Sequence, residues 1–138
     1  MAISSSLRAA VRQRAMSQCE YCHLSMHVIP EPFHVEHIVA KQHHGETLLH
    51  NLALACSRCN SHKGPNLVGI DPETGQTAPL FNPRRDSWLD HFRRAGSTIR
   101  GTTAVGRTTV AVLNMNEESR VELRAVLIEE GRMPGSDG

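Results

Sequence analysis

The chain has 138 residues, with a hydrophobic share of 39%, a charged share of 21% and only 4% Phe, Trp and Tyr, which suits one domain with a modest core that a bound metal would help to hold. It shows neither an apolar run ahead of a small-residue cleavage site nor a segment long enough to span a bilayer, so a cytoplasmic protein is expected rather than a secreted or membrane one. The formal net charge of +1 hides a division: residues 81–107 carry six arginines against Asp86 and Asp90, a surplus of +4, whereas from residue 117 six acids outnumber three arginines, giving −3.

Residues 4–16 read as a helix, with a serine cap, Leu7, Val11 and Ala15 on one face and Arg8 and Arg12 on another. Cys19 to Cys22 is a tight turn, and Pro30 and Pro32 then exclude helix, so 33–39 is expected to be a short strand. His43-His44-Gly45 reads as loop, Leu48 to Leu54 as a second short element, and Asn60 to about Leu67 as a short helix stopped near Gly64-Pro65. Residues 69–86, rich in Gly, Pro and Asp, read as a long ordered loop. A short helix over 87–92, a strand within 96–103 and helices over 105–113 and 117–130 follow. Asn116 is the expected cap of the last helix, and Val121, Leu123, Val126, Leu127 and Ile128 its apolar side. That acidic helix is expected to pack or self-associate, and residues 134–138 to be disordered.

Cys19-Glu20-Tyr21-Cys22 and Cys56-Ser57-Arg58-Cys59 repeat one spacing and use every cysteine in the chain. Two intervening residues let both thiolates reach one ion from a tight turn, and two such turns complete a tetrahedron. The competing readings are disulfides, disfavoured in a reducing compartment, and a redox pair, which normally stands singly at a helix start after a buried strand. A closed site holding Zn²⁺ is therefore expected, one that folds the chain and does no chemistry.

Eight of the nine histidines lie between residues 23 and 62. The string Phe33-His34-Val35-Glu36-His37-Ile38-Val39, then Asn51-Leu52, then Cys56-x-x-Cys59-Asn60-x-x-Lys63-Gly64, resembles the HNH endonuclease family over about residues 15–66. Lys63-Gly64-Pro65-Asn66-Leu67, Leu80-Phe81-x-Pro83-Arg84 and Trp88-x-x-His91-Phe92 are similar to a bacterial subgroup of small HNH proteins. The resemblance implies an α+β fold in a single nuclease domain, 1–138. Within it, an N-terminal helix over 1–18 would precede a zinc-stapled ββα-metal core over 19–68, and a mixed, mainly helical C-terminal extension over 69–138 would follow. Trp88 and Phe92, four residues apart, are expected to be core joining that extension to the zinc module rather than base-stacking groups.

Phosphodiester hydrolysis needs an activated water, neutralised phosphate charge and a stabilised leaving 3′-oxygen. A histidine titrates near neutrality and can take the proton from water, which is the role expected of His37. A hard cation such as Mg²⁺, or Mn²⁺ or Ni²⁺ in its place, wants oxygen ligands and acts as a Lewis acid, and Glu36 and the side-chain oxygen of Asn60 are the natural donors. The resemblance implies that Asn51 holds the loop and so orients the base. The family usually has Asp before the histidine; Glu36 keeps the carboxylate one methylene further out, which bears on metal preference and rate.

Arg12, Arg58, His62, Lys63, Arg84 and Arg85 are candidate nucleic-acid contacts, with solvated charge, or pairing of the last two with Asp86 and Asp90, as the plainer reading. His34 alternates with Glu36, either beside the site or at the surface, and His43, His44 and His50 read as loop residues. The expected substrate is DNA, with RNA also open, cut or nicked by a monomer or homodimer to leave 5′-phosphate and 3′-hydroxyl ends. Of two other readings, a non-catalytic zinc module that binds nucleic acid leaves Glu36, His37, Asn51 and Asn60 unexplained as a set, and a zinc-stapled protein adaptor would use the C-terminal helices as its interface.

Overall fold

The computed structural model describes residues 3–135, so the disorder expected of residues 136–138 lies outside the described residues. Contacts gather the chain into two compact units, one reaching to Leu67 and including Asn82–Arg85, the other formed by Val68–Phe81 and the chain from Asp86 onward. The short return of Asn82–Arg85 to the first unit has a local cause: Arg84 pairs with Glu20 and donates to the Leu52 carbonyl at 3.2 Å.

In the first unit, α1 (Ser5–Arg14) begins where the Ser4 hydroxyl accepts from the Leu7 amide at 3.2 Å. Met16 and Ser17, with φ of 56° and 59°, then turn the chain into the first cysteine pair. β1 (His34–His37) and β2 (Leu52–Ala55) pair antiparallel, Glu36 opposite Ala53 and His37 opposite Leu52. Alternation sends Leu52 and Leu54 to one face, where they meet Val11 and are closed over by Leu7, Met26, Phe33 and Val35. The opposite face carries Ala53 and Ala55, with Glu36 directly across from Ala53.

One residue after β2 the chain enters α2 (Ser57–Lys63), capped by Cys56, whose sulfur accepts from the Cys59 amide at 3.4 Å. The helix expected from Asn60 thus starts three residues earlier, because a cysteine sulfur does what a serine or aspartate oxygen usually does at a helix start. It stops at Gly64, as expected. The chain therefore has a mixed α+β fold containing a β1–β2–α2 run flanked by the cysteines.

Among its described residues the second unit holds more helix than strand, as expected of the C-terminal extension, with one departure. Residues read as a long loop instead hold a hairpin, β3 (Val68–Ile70) with β4 (Thr77–Pro79). Asp71 nucleates its turn, accepting from the Glu73 amide and the Thr74 hydroxyl. Arg107 grips the same carboxylate at 2.8 and 3.0 Å and holds it down to about 2.

α3 (Trp88–His91) runs directly into β5 (Phe92–Ala95), which pairs with β6 (Thr98–Gly101) across Gly96. α4 (Ala104–Val112) lies against β6 and β3. It comes so close to the end of α3 that a Cβ on Gly106 would sit 1.9 Å from the His91 carbonyl oxygen. Phe92 is buried, stacked by Trp88 at 4.9 Å and met edge-on by Phe81 at 5.3 Å, so both residues belong to this unit's packing.

α5 (Glu118–Glu129) corrects two expectations. Asn116 is no cap: its amide bonds both the N–H and the carbonyl of Ile99, at 2.8 and 2.7 Å. The inward face presents Arg120, Arg124 and Leu127, while Val126 is 48% exposed. Arg124 decides that phase by donating to the carbonyls of Ser97 and Met115 at 3.2 and 2.8 Å.

Candidate functional site

All four cysteines are buried, and their sulfurs lie within 4.8 Å of one another. The Cys22 and Cys56 sulfurs are 3.8 Å apart, close to the edge of about 3.8 Å that a tetrahedron with Zn–S bonds of about 2.3 Å requires. Burial lifts the Cys19 thiol and hydrogen bonding with Cys19 lifts that of Cys59, whereas the bonds Cys56 receives from the other three hold it far down. Four thiols packed this closely repel one another when ionised, and a soft cation among them is what lets thiolates share the space. The donor set fits a structural Zn²⁺ held by Cys19, Cys22, Cys56 and Cys59.

The first cysteine turn does more than present sulfurs. The Glu20 amide donates to the Leu54 carbonyl at 2.9 Å and the Glu20 carboxylate accepts from the Leu54 amide at 2.8 Å, so the turn is zipped onto β2. Tyr21, fully buried, points its hydroxyl at Glu36. Neither residue was singled out from sequence; the only signal was a carboxylate and a phenol inside a metal-binding turn, where plain polar spacers would have sufficed.

Glu36 is 7% exposed. One carboxylate oxygen accepts from Tyr21 and the other lies 3.4 Å from the Lys63 ammonium. Burial raises its affinity for a proton, while Lys63 and Tyr21 pull the other way. Lys63 is 2% exposed and also donates to the Ile38 carbonyl at 3.0 Å. The sequence reading that set Lys63 among nucleic-acid contacts is thereby corrected: α2 turns this side chain inward, where it balances Glu36.

His37 ends β1 and is half-buried, its Nε2 lying 2.9 Å from the Thr47 hydroxyl. Burial, and then the charge of Lys41, lower its affinity for a proton. Asn51 is buried and closes the loop between the strands: its Oδ1 accepts from the Val39 amide at 2.9 Å, and its Nδ2 donates to the carbonyls of Val39 and Glu46 at 3.0 and 2.8 Å. Gly45 completes that closure, since a Cβ there would lie 1.7 Å from the Val39 carbonyl oxygen.

Glu36, His37 and Asn60 line one cavity of about 330 Å³ with Ala40, Lys41 and Gly64. Asn51 stands outside that lining, along a second cavity of about 370 Å³ with His44, His50, Arg84 and Arg85. Of the remaining cations, Arg12, His62 and Arg85 are exposed and Arg58 is half-buried. Arg84 pairs with Glu20, not with the Asp86 or Asp90 considered from sequence. His34, His43 and His44 are exposed, and His50 lies 3.5 Å from Glu46.

Among the described residues no helix is long and apolar enough to cross a membrane. Comparison with known proteins matches residues 19–66 to the HNH endonuclease family. The chain is also similar to the Septu protein PtuB of Bacillus thuringiensis, 26% identical over 124 residues that make up 88% of this chain and 46% of that protein. It therefore spans about half the length of this curated relative. No solved structure gives a significant match. The stretch similar to the HNH endonuclease family, 19–66, holds both cysteine pairs together with Glu36, His37, Asn51 and Asn60.

Proposed function

We propose that this protein is a metal-dependent endonuclease that hydrolyses phosphodiester bonds in DNA. The observation that carries the reading is the cavity that Glu36, His37 and Asn60 share. In it His37, held neutral by burial, takes the proton of an attacking water. Glu36 and the side-chain oxygen of Asn60 would hold a divalent cation such as Mg²⁺, Mn²⁺ or Ni²⁺. Each Glu36 oxygen already has one partner, but a carboxylate offers about four lone-pair sites, so room for a cation remains. When bound, the cation supplies Lewis acidity at the phosphoryl and leaving 3′-oxygens. Asn51 closes the loop that carries the base's partner, Arg12, Arg58 and Arg85 offer positive charge to the phosphate backbone, and His62 offers a ring nitrogen for a phosphate contact. The zinc cysteines hold β2 and α2 in register and take no part in the chemistry.

The decisive assay is cleavage of supercoiled plasmid across divalent metals. His37→Ala is expected to abolish cutting while zinc content stays at the parent's level; a variant that cuts as fast as the parent removes His37 from the reaction. A non-catalytic nucleic-acid-binding module is the second reading, favoured by one observation: Tyr21 and Lys63 already engage both oxygens of Glu36. Retention on DNA with no cutting in Mg²⁺, Mn²⁺ or Ni²⁺ would establish it.

A further inference from the structure

We propose that Thr47 is a positioning residue for His37, fixing which imidazole nitrogen faces the reaction. The inference rests on the nuclease reading above, and it starts from a bond that reading does not use. His37 Nε2 lies 2.9 Å from Thr47 Oγ1, the one hydrogen bond that the described residues give this ring. With Nε2 engaged, Nδ1 is the nitrogen left for the cavity shared with Glu36 and Asn60.

A hydroxyl both donates and accepts, so the neutral ring alone leaves the direction of the bond open. Proton abstraction closes it. Once Nδ1 has taken a proton from water, both ring nitrogens carry hydrogens, and Nε2–H can only donate. Thr47 Oγ1 must then accept, in a charge-assisted bond that strengthens as the ring becomes positive. The same direction beforehand places hydrogen on Nε2 and a lone pair on Nδ1, the tautomer a base needs. The balance of the step is simple: the water O–H bond breaks, its electron pair stays on the attacking oxygen, the proton goes to Nδ1, and the hydrogen on Nε2 stays in place.

The loop holds Thr47 where this requires it. The preceding residue, Glu46, gives its carbonyl to Asn51 Nδ2 at 2.8 Å, and the same amide brackets Val39. Asn51 therefore reaches His37 by way of Thr47: the side-chain amide fixes the backbone at residue 46, and the next side chain fixes the ring.

The test compares Thr47→Val, which keeps the shape and removes the oxygen, with Thr47→Ser, which keeps the oxygen. Long-range proton–nitrogen correlation spectra of the zinc-loaded full chain, labelled at histidine, should show His37 as the Nε2–H tautomer in the parent and in Thr47→Ser. Thr47→Val should give a mixture of tautomers. In the plasmid assay, Thr47→Val should lose kcat on the order of ten- to a hundredfold with KM for DNA little changed, and Thr47→Ser should recover most of it. Zinc content equal to the parent's checks that the variants fold. A Thr47→Val protein with the parent's tautomer and the parent's kcat overturns the proposal. If the parent itself cuts no DNA, the nuclease reading falls, and the spectra still decide whether Thr47 sets the ring.

Discussion

His37 follows a carboxylate in the chain, and an unmatched carboxylate beside it would hold the imidazole protonated and useless as a base. The neighbouring charge is already answered, because Glu36 faces Lys63 at 3.4 Å. What remains around His37 is burial and Lys41, and both favour the neutral ring, placing it below its ordinary value of 6.5. The sign follows: a base works when deprotonated, so cleavage should fall on acidification with its midpoint below pH 6.5. A pH–rate profile of kcat/KM at saturating metal checks this; a midpoint above 6.5 would mean that Glu36 governs the ring after all. Glu36, His37, Asn51 and Asn60 could be put forward from the sequence because their order and spacing lie along the chain. Tyr21 and Thr47 were not, since their partners are brought to them only by folding, across 15 and 10 residues of chain.

At the scale of elements, the first cysteine turn and β2 are joined by a charge cluster. Arg14 and Arg84 both donate to the Leu52 carbonyl, at 2.5 and 3.2 Å, and Glu20 is the carboxylate that pairs with Arg84. Burial, with the charge of Arg14, brings Arg84 down to about 10, so its guanidinium is poorly solvated and depends on Glu20. Glu20→Ala would leave that cation with a single carbonyl and strip the Leu54 amide of its acceptor. The expected loss is about 2–4 kcal/mol, read as a drop in Tm and in urea midpoint. Arg132→Ala, which breaks a pair about half exposed on both sides, should cost less than about 0.5 kcal/mol. Equal effects for the two would refute the weight given to the cluster. Elements with a period or an ordinary cap, such as α1 and β1, could be read directly. β3 and β4 could not, because three-residue strands are too short to display alternation and their turn is rich in Gly and Pro. α5 was misphased because buried arginines that satisfy backbone carbonyls look like solvent-facing residues in a sequence.

For the whole molecule, the cysteines and the catalytic candidates all fall in the first unit, while the second has its own buried residues, Phe92, Ile99, Leu113 and Met115, and no cysteine. A structural zinc contributes about 10–16 kcal/mol at neutral pH, as much as a whole domain's net stability of about 5–15 kcal/mol. Removing the metal should therefore unfold the first unit outright rather than loosen it, and the loss of register between β1 and β2 should take the shared cavity with it. The second unit receives no ligand from the metal site, so its hairpins and helices should survive. Amide exchange measured before and after a strong chelator separates the two outcomes. The Ile38 and Leu54 amides, which bond Asn51 and Glu20, should lose their protection. The Ile99 and Leu113 amides, which bond Asn116 and Thr109, should keep theirs. Simultaneous loss at all four positions would show that the metal holds the entire chain, and the division into two units would then describe packing density rather than folding units.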